Sequence, residues 1–414
     1  MIKAIYSISL LSIGVIFASI HSLYIALFIL VLLVYRVWNL PEGWAEKDLH
    51  CGNNNQSDFE IFYIMSIGFI TLFLLYWKIN VIWVVFLLEF ISFIILGSCY
   101  IFNTEVLKIK EIEGSLNYIF PAFISFVLLL IYVLALSLES TAVYLNPNFG
   151  NIIILISLLI KVGAFPMSVW VPGVFNGITF SALLLLSIIS KIFVIIIFNE
   201  YIPINQILAI TTGILSILSA CYAMMNQSKI KKFLAFSSIA NIGWILIALG
   251  MAKGELSFYL NSKEVITAYF FIYSFNLILL CIALKQTLPT QIFNLFNSQQ
   301  AEKKGIIFFG IFIVSLFGMA GIPPFMGFLG KFIMLSFINQ TSFIMTSTLV
   351  FLSSIFVFIY IRPITYYYRI QTPSSTYIRQ DNQYKNPSLK TSFFIIFLIN
   401  INIIFMFVAF CHVF

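Results

Sequence analysis

The chain has 414 residues, of which 61% are hydrophobic and 9% charged, with a net charge of +7. A soluble domain carries about 25% charged residues, so this composition excludes a water-soluble enzyme or binding module and makes the chain integral to a membrane. The positive charge does not indicate nucleic acid, because Lys and Arg lie in short loops between apolar runs and there is no basic or acidic tail.

A helix crosses the hydrocarbon layer with about 20 apolar residues. Runs of this kind fall at 4–35, 59–77, 80–102, 116–138, 149–170, 175–198, 204–225, 232–252, 264–286, 305–340, 342–366 and 392–413. The first is long enough for one tilted span or two short ones turning near His21-Ser22. It exceeds the length of a signal-peptide core and lacks a small-residue cleavage site. The stretch from Leu158 to Gly177, LLIKVGAFPMSVWVPGVFNG, places Pro166 and Pro172 within an apolar region. The tenth run is interrupted by GMAGIPPFMG, Gly318 to Gly327. Proline lacks an N–H and clashes with the preceding helical turn, so both stretches predict broken helices. In membranes, broken helices are found where the freed backbone groups line a cavity.

Loop charge sets the orientation. Lys229, Lys231 and Lys232 follow the seventh run. Lys285, Lys303 and Lys304 precede the tenth, and Arg369, Arg379, Lys385 and Lys390 precede the last. Loops nearly free of basic residues alternate with these, so the basic loops are expected on the matrix or cytoplasmic side. The Lys229–Lys232 cluster reads as a turn and topology signal. Such loops also suit anionic lipid headgroups such as cardiolipin.

Cys51, Cys99, Cys221, Cys281 and Cys411 are scattered, with no CxxC and no Cys/His cluster. No iron–sulfur or zinc site is therefore expected from this chain. No glycine-rich strand–helix fingerprint is present, so no direct NADH binding and no cofactor in this chain are expected. The chain holds 46 Phe and 20 Tyr against 20 Gly and 12 Pro. That bias matches AT-rich codons and points to an organellar genome.

Four ionisable residues lie deep in apolar runs: Glu89, Lys161, Lys191 and Lys331. A charge at mid-bilayer costs roughly 2.5–3.5 kcal/mol on insertion scales, so all four should face a protein interior. Ion pairs that staple helices together are one reading. One acid cannot pair three bases, however, and lysine's proton affinity falls readily on burial. Lysines on separate helices therefore read as a proton or cation relay, with Glu89 as a switchable partner.

Three motifs then resemble a known family. KVGAFPMSVWVPGVFNG, NQSKIKKFLAFSSIANIGWILI and AGIPPFMGFLGKF are similar, in order and spacing, to motifs of the antiporter-like subunits of respiratory NADH:quinone oxidoreductase, complex I. The resemblance implies an all-α polytopic membrane helix bundle of the antiporter type. It would contain two inverted five-helix repeats, broken helices and about 12–13 transmembrane helices. The organisation expected on this basis begins with an N-terminal membrane segment and matrix-side loop over 1–58. Repeats over 59–198 and 199–366 follow, and then a matrix-side loop with a C-terminal helix over 367–414.

The resemblance also implies proton translocation across the inner mitochondrial membrane, coupled to quinone reduction elsewhere in a complex of membrane-arm subunits. Glu89, Lys161, Lys191 and Lys331 match the family's relay residues. Three positions depart from the pattern: Ser168 and Asn241 stand where the family has histidines, and Gly173 where it has an acid. Two alternatives stay open, a cation/proton antiporter of the related family and a structural scaffold with a vestigial channel.

Overall fold

The computed structural model describes Glu89, Ser92 and residues 108–139, 147–178, 180–200, 206–252, 262–287 and 303–371. The expectations for 1–58, for the runs at 59–77 and 392–413 and for the loop at 367–391 lie largely or wholly outside these residues. Among the described residues every regular element is a helix. We number them α1 (Lys108–Glu139), α2 (Pro147–Val162), α3 (Trp170–Gly177), α4 (Phe180–Glu200), α5 (Gln206–Met225), α6 (Ile230–Met251), α7 (Ser262–Thr287), α8 (Lys303–Ala320), α9 (Met326–Thr341) and α10 (Phe343–Gln371). A 3-10 turn, Met167–Val169, precedes α3. Six stretches among the described residues are long and apolar enough to cross a bilayer, and one of them, Ile152–Gly177, runs through the first break.

Helix α6 is the centre of the bundle. Its sequence is apolar on every side, the pattern of a helix surrounded by others, and every residue from Ser237 to Gly250 is buried. Helix α5 lies along it, and α3, α4, α7 and α9 also contact it. The α5–α6 approach is close because both helices present glycine. A Cβ on Gly213 would stand 2.9 Å from the Gly243 carbonyl, and one on Gly243 would stand 2.7 Å from the Gly213 carbonyl. Small residues at such crossings let membrane helices pack backbone to backbone. The outer helices expose apolar side chains, among them Phe120, Phe123 and Leu134 on α1 and Phe351 and Phe358 on α10. These suit a hydrocarbon surrounding.

Both predicted breaks are present, and they share one backbone design. Helix α2 stops at Val162, four residues before Pro166, because Gly163 turns into the left-handed region at φ +75°. Helix α8 stops at Ala320, where Gly321 has φ +80°. Glycine takes this conformation without the Cβ penalty of other residues. At the first break the Ala164 N–H donates to the Leu159 carbonyl at 3.0 Å, and the Gly163 N–H to the same carbonyl at 3.0 Å. At the second the Ile322 N–H donates to the Phe317 carbonyl at 3.2 Å, and the Gly321 N–H to the same carbonyl at 3.0 Å. These are glycine C-caps of one kind. The Phe165–Pro166 and Pro323–Pro324 peptide bonds are both cis. Pro172 sits in the first turn of α3, a position that proline tolerates.

One expectation needs amending. The Lys229–Lys232 cluster does lie at a turn, with the Asn226 N–H on the Ala223 carbonyl at 3.2 Å. Lys231, however, is also a structural tie. Its ammonium donates to the Ile178 carbonyl at 2.6 Å and lies 5.1 Å from the centre of the Phe180 ring. The start of α6 is thereby anchored to the α3–α4 junction, where an ammonium meets the carbonyl end of a helix.

Candidate functional site

Glu89 and Lys161 meet. The Lys161 ammonium donates to Glu89 Oε1 at 2.5 Å, and both side chains are almost fully buried. The Ser92 hydroxyl adds a bond to Glu89 Oε2 at 3.0 Å, shared with the Glu89 carbonyl at 2.7 Å. Glu89 therefore has a partner at each carboxylate oxygen. Lys161 occupies the last turn of α2, next to the break, where the negative end of the helix dipole favours a cation.

The chain closes this break from the other side. The Trp170 indole N–H donates to the Ile160 carbonyl at 3.2 Å, and its ring lies 5.5 Å from that of Tyr118. Trp170 is thus a clasp across the broken segment.

Lys331 sits near the start of α9 but reaches back to the second break. Its ammonium donates to the Ala320 carbonyl at 2.5 Å and lies 5.7 Å from the centre of the Phe356 ring. Both contacted groups favour a cation, one as a freed helix-end carbonyl and the other as an aromatic face. The close fit is visible at Gly321, where a Cβ would stand 2.7 Å from Lys331 Cδ.

Lys191, in α4, is 3% exposed, and its ammonium nitrogen has no hydrogen-bond partner among the described residues. The structure therefore brings together one pair of the four predicted residues, Glu89 with Lys161. Lys331 stands at a separate break, and Lys191 is buried with no direct bond to either.

Sequence reasoning missed a group of tyrosines. Tyr269 and Tyr273 on α7 and Tyr360 on α10 are all buried. The Tyr269 hydroxyl donates to Asn241 Oδ1 at 2.6 Å, and Asn241 Nδ2 donates to the Ser237 carbonyl at 2.8 Å. The Ser237 and Tyr360 hydroxyls bond to one another. The signal was present in the sequence: Tyr269 and Tyr273 lie one helical turn apart, well inside an apolar run rather than at its ends, where aromatic belts collect.

Two of the departures from the family pattern also gain a physical context. Asn241 is held on both sides. At Gly173 a Cβ would stand 3.2 Å from Asn117 Nδ2, so a longer acidic side chain there would have to displace the Asn117 side chain.

The sequence profile described as NADH:quinone oxidoreductase/Mrp antiporter, TM, matches residues 83–357. The NADH-ubiquinone oxidoreductase chain 2 of Anopheles gambiae is 32% identical over 257 residues, which are 60% of this chain and 70% of the mosquito chain. The NADH-quinone oxidoreductase subunit N of Rickettsia felis is 29% identical over 226 residues, 51% of this chain and 48% of the bacterial one. A chain of respiratory complex I from Thermus thermophilus has the same fold, with a TM-score of 0.61 at 16% identity, covering 92% of this chain and 84% of that one. The profile match takes in the positions of Glu89, Lys161, Lys191 and Lys331. The chain belongs to the NADH:quinone oxidoreductase/Mrp antiporter family of membrane subunits, in its chain 2/subunit N-like branch.

Proposed function

We propose that this chain is a proton-translocating membrane-arm subunit of NADH:ubiquinone oxidoreductase in the inner mitochondrial membrane. Glu89, Lys161, Lys191 and Lys331 would act as its relay, linked by water, with quinone reduction elsewhere in the complex as the energy source. The observation that carries this reading is the buried Glu89–Lys161 pair at a helix break. In low dielectric an ion pair is strong but conditional, because moving either partner strands the other charge. Displacing Glu89 from Lys161 changes the ammonium's tendency to hold its proton, and the adjacent break offers freed backbone groups to receive water. Lys191, buried on α4, is a natural acceptor for a proton leaving that pair. Lys331, at the second break, is the corresponding exit group. The basic loops would face the matrix. NADH, quinone and redox centres would be handled by partner subunits.

The test is Lys161→Met in the assembled complex. Proton translocation should fall on the order of tenfold or more, and coupled NADH oxidation should fall with it, while the complex still assembles. Full-rate pumping by that variant would refute the assigned roles. The family description itself favours one second reading, cation/proton antiport of the Mrp type. Sodium flux through liposomes that contain this chain without its partners would select it.

A further inference from the structure

Position 241 is where the resembling family places a histidine, and here it holds an amide whose two ends are both occupied. Asn241 Oδ1 accepts from Tyr269 and Nδ2 donates to the Ser237 carbonyl. An amide has no exchangeable lone-pair nitrogen, so a proton does not pass through it as through imidazole. One turn away on α6 the chemistry differs. The Ser237 hydroxyl bonds the Tyr360 hydroxyl across the α6–α10 boundary, and either oxygen can donate. Each hydroxyl both gives and takes a proton.

A third hydroxyl lies close by. Tyr273 is one turn beyond Tyr269 on α7, and the three tyrosines are near enough to interact electrostatically. The Tyr273 hydroxyl is fully buried without a partner among the described residues. Buried hydroxyls are nearly always hydrogen-bonded, commonly to an ordered water, and the Tyr273 hydroxyl is free to take one.

The cluster borders Lys331. Phe356, which lies under the Lys331 ammonium, is one turn from Tyr360, with ring centres 6.3 Å apart. The Tyr269 ring rests against Gly330, whose Cβ would stand 3.3 Å from Tyr269 Cδ2.

We propose that Tyr273, Tyr360 and Ser237 form a water-linked hydroxyl relay that delivers protons to Lys331, with Asn241 and Tyr269 as the clamp that holds its geometry. The proposal rests on the translocation reading above. A proton arriving at one hydroxyl oxygen forms a new O–H bond as that oxygen's original O–H breaks toward the next oxygen in line. The last proton lands on the neutral Lys331 amine. Each hydroxyl ends neutral with one proton, and rotation of the O–H bonds resets the row, so no oxidant or reductant is required.

The experiment uses the assembled complex in its own membrane, with Tyr360→Phe, Tyr273→Phe and Ser237→Ala, and reads proton translocation per NADH oxidised in H2O and in D2O. Tyr360→Phe keeps the ring contacts with Phe233 and Phe356 and removes only the hydroxyl. Translocation should fall at least about tenfold in Tyr360→Phe and Ser237→Ala. The deuterium isotope effect should rise, and Ser237→Thr, which restores the hydroxyl, should recover most of the rate. Full-rate translocation in Tyr360→Phe and Ser237→Ala would overturn the relay. So would a loss in Ser237→Ala that Ser237→Thr does not recover, since that is a packing defect. If Tyr360→Phe does not assemble, Tyr273→Phe and the two Ser237 variants decide by the same criteria. Lys331→Met separates the two layers of argument. Pumping that survives Lys331→Met defeats the translocation reading itself. Pumping that Lys331→Met stops but the hydroxyl variants spare defeats the relay alone.

Discussion

Breaking a buried ion pair by removing one partner costs about 3–5 kcal/mol, because an uncompensated charge remains in low dielectric. Glu89 and Lys161 form such a pair. Glu89→Gln should therefore destabilise the chain by roughly that amount, seen as a lower thermal transition of the purified complex. Adding Lys161→Met should restore much of the loss, and strictly additive effects would show that the pair is not coupled. The four ionisable residues were legible in the sequence because a charge in an apolar run has few structural excuses. Their grouping was not. Residues 72 positions apart, such as Glu89 and Lys161, meet only through helix packing, which periodicity does not report. The tyrosines escaped for a different reason. A ring that is mostly hydrocarbon blends into an apolar helix, and its single hydroxyl acquires meaning only when Asn241 or Ser237 stands opposite.

The breaks were announced by their prolines but are executed by their glycines. Pro166 and the Pro323-Pro324 pair mark the breaks, yet each helix already ends at the residue before a left-handed glycine, Gly163 or Gly321, which stands three residues ahead of Pro166 or Pro324 respectively. A Cβ in the left-handed region costs roughly 1–2 kcal/mol for an L-residue. At Gly163 it would also collide with the Val171 side chain, and at Gly321 with Lys331. Gly321→Ala should thus do more than destabilise. It should push the Lys331 side chain off the Ala320 carbonyl and slow translocation, whereas Gly163→Ala should act mainly through the fit of Val171 and Trp170. Comparing thermal stability with pumping rate in the two variants checks this. Equal ratios of stability loss to rate loss would refute it. Loop charge gave Lys231 its place near a turn, but its bond to the Ile178 carbonyl depends on where α3 ends, and that end follows from the first break.

The bundle is organised around α6, whose burial on all sides explains why its sequence shows no polar face. The Gly213–Gly243 crossing holds α5 against it. Gly243→Leu should force these helices apart and deplete the chain from the assembled complex, measured as the ratio of this subunit to its neighbours after mild detergent extraction. Normal incorporation would show that the crossing tolerates separation. Fold class and the positions of most described helices were legible because hydrophobic length is a strong, additive signal in a membrane protein. Which helix would be central was not, since α4, α6 and α8 are all similarly apolar.

The two breaks keep a fixed interval. Leu159, Gly163 and Ala164 answer to Phe317, Gly321 and Ile322 at a constant offset of 158 residues (317 less 159, 321 less 163). The charges ignore it. At that offset Glu89 falls on Ile247, Lys161 on Met319 and Lys191 on Leu349, while Lys331 falls back on Gly173. One lysine precedes its fracture and the other follows it. A device whose two halves were true copies of one another, turned about the membrane plane, would look the same from either side and could not distinguish inward from outward. Here the caps of the two breaks match and the buried charges beside them do not. On the translocation we propose, that mismatch would supply the handedness without which an energy source, however strong, has no direction to choose.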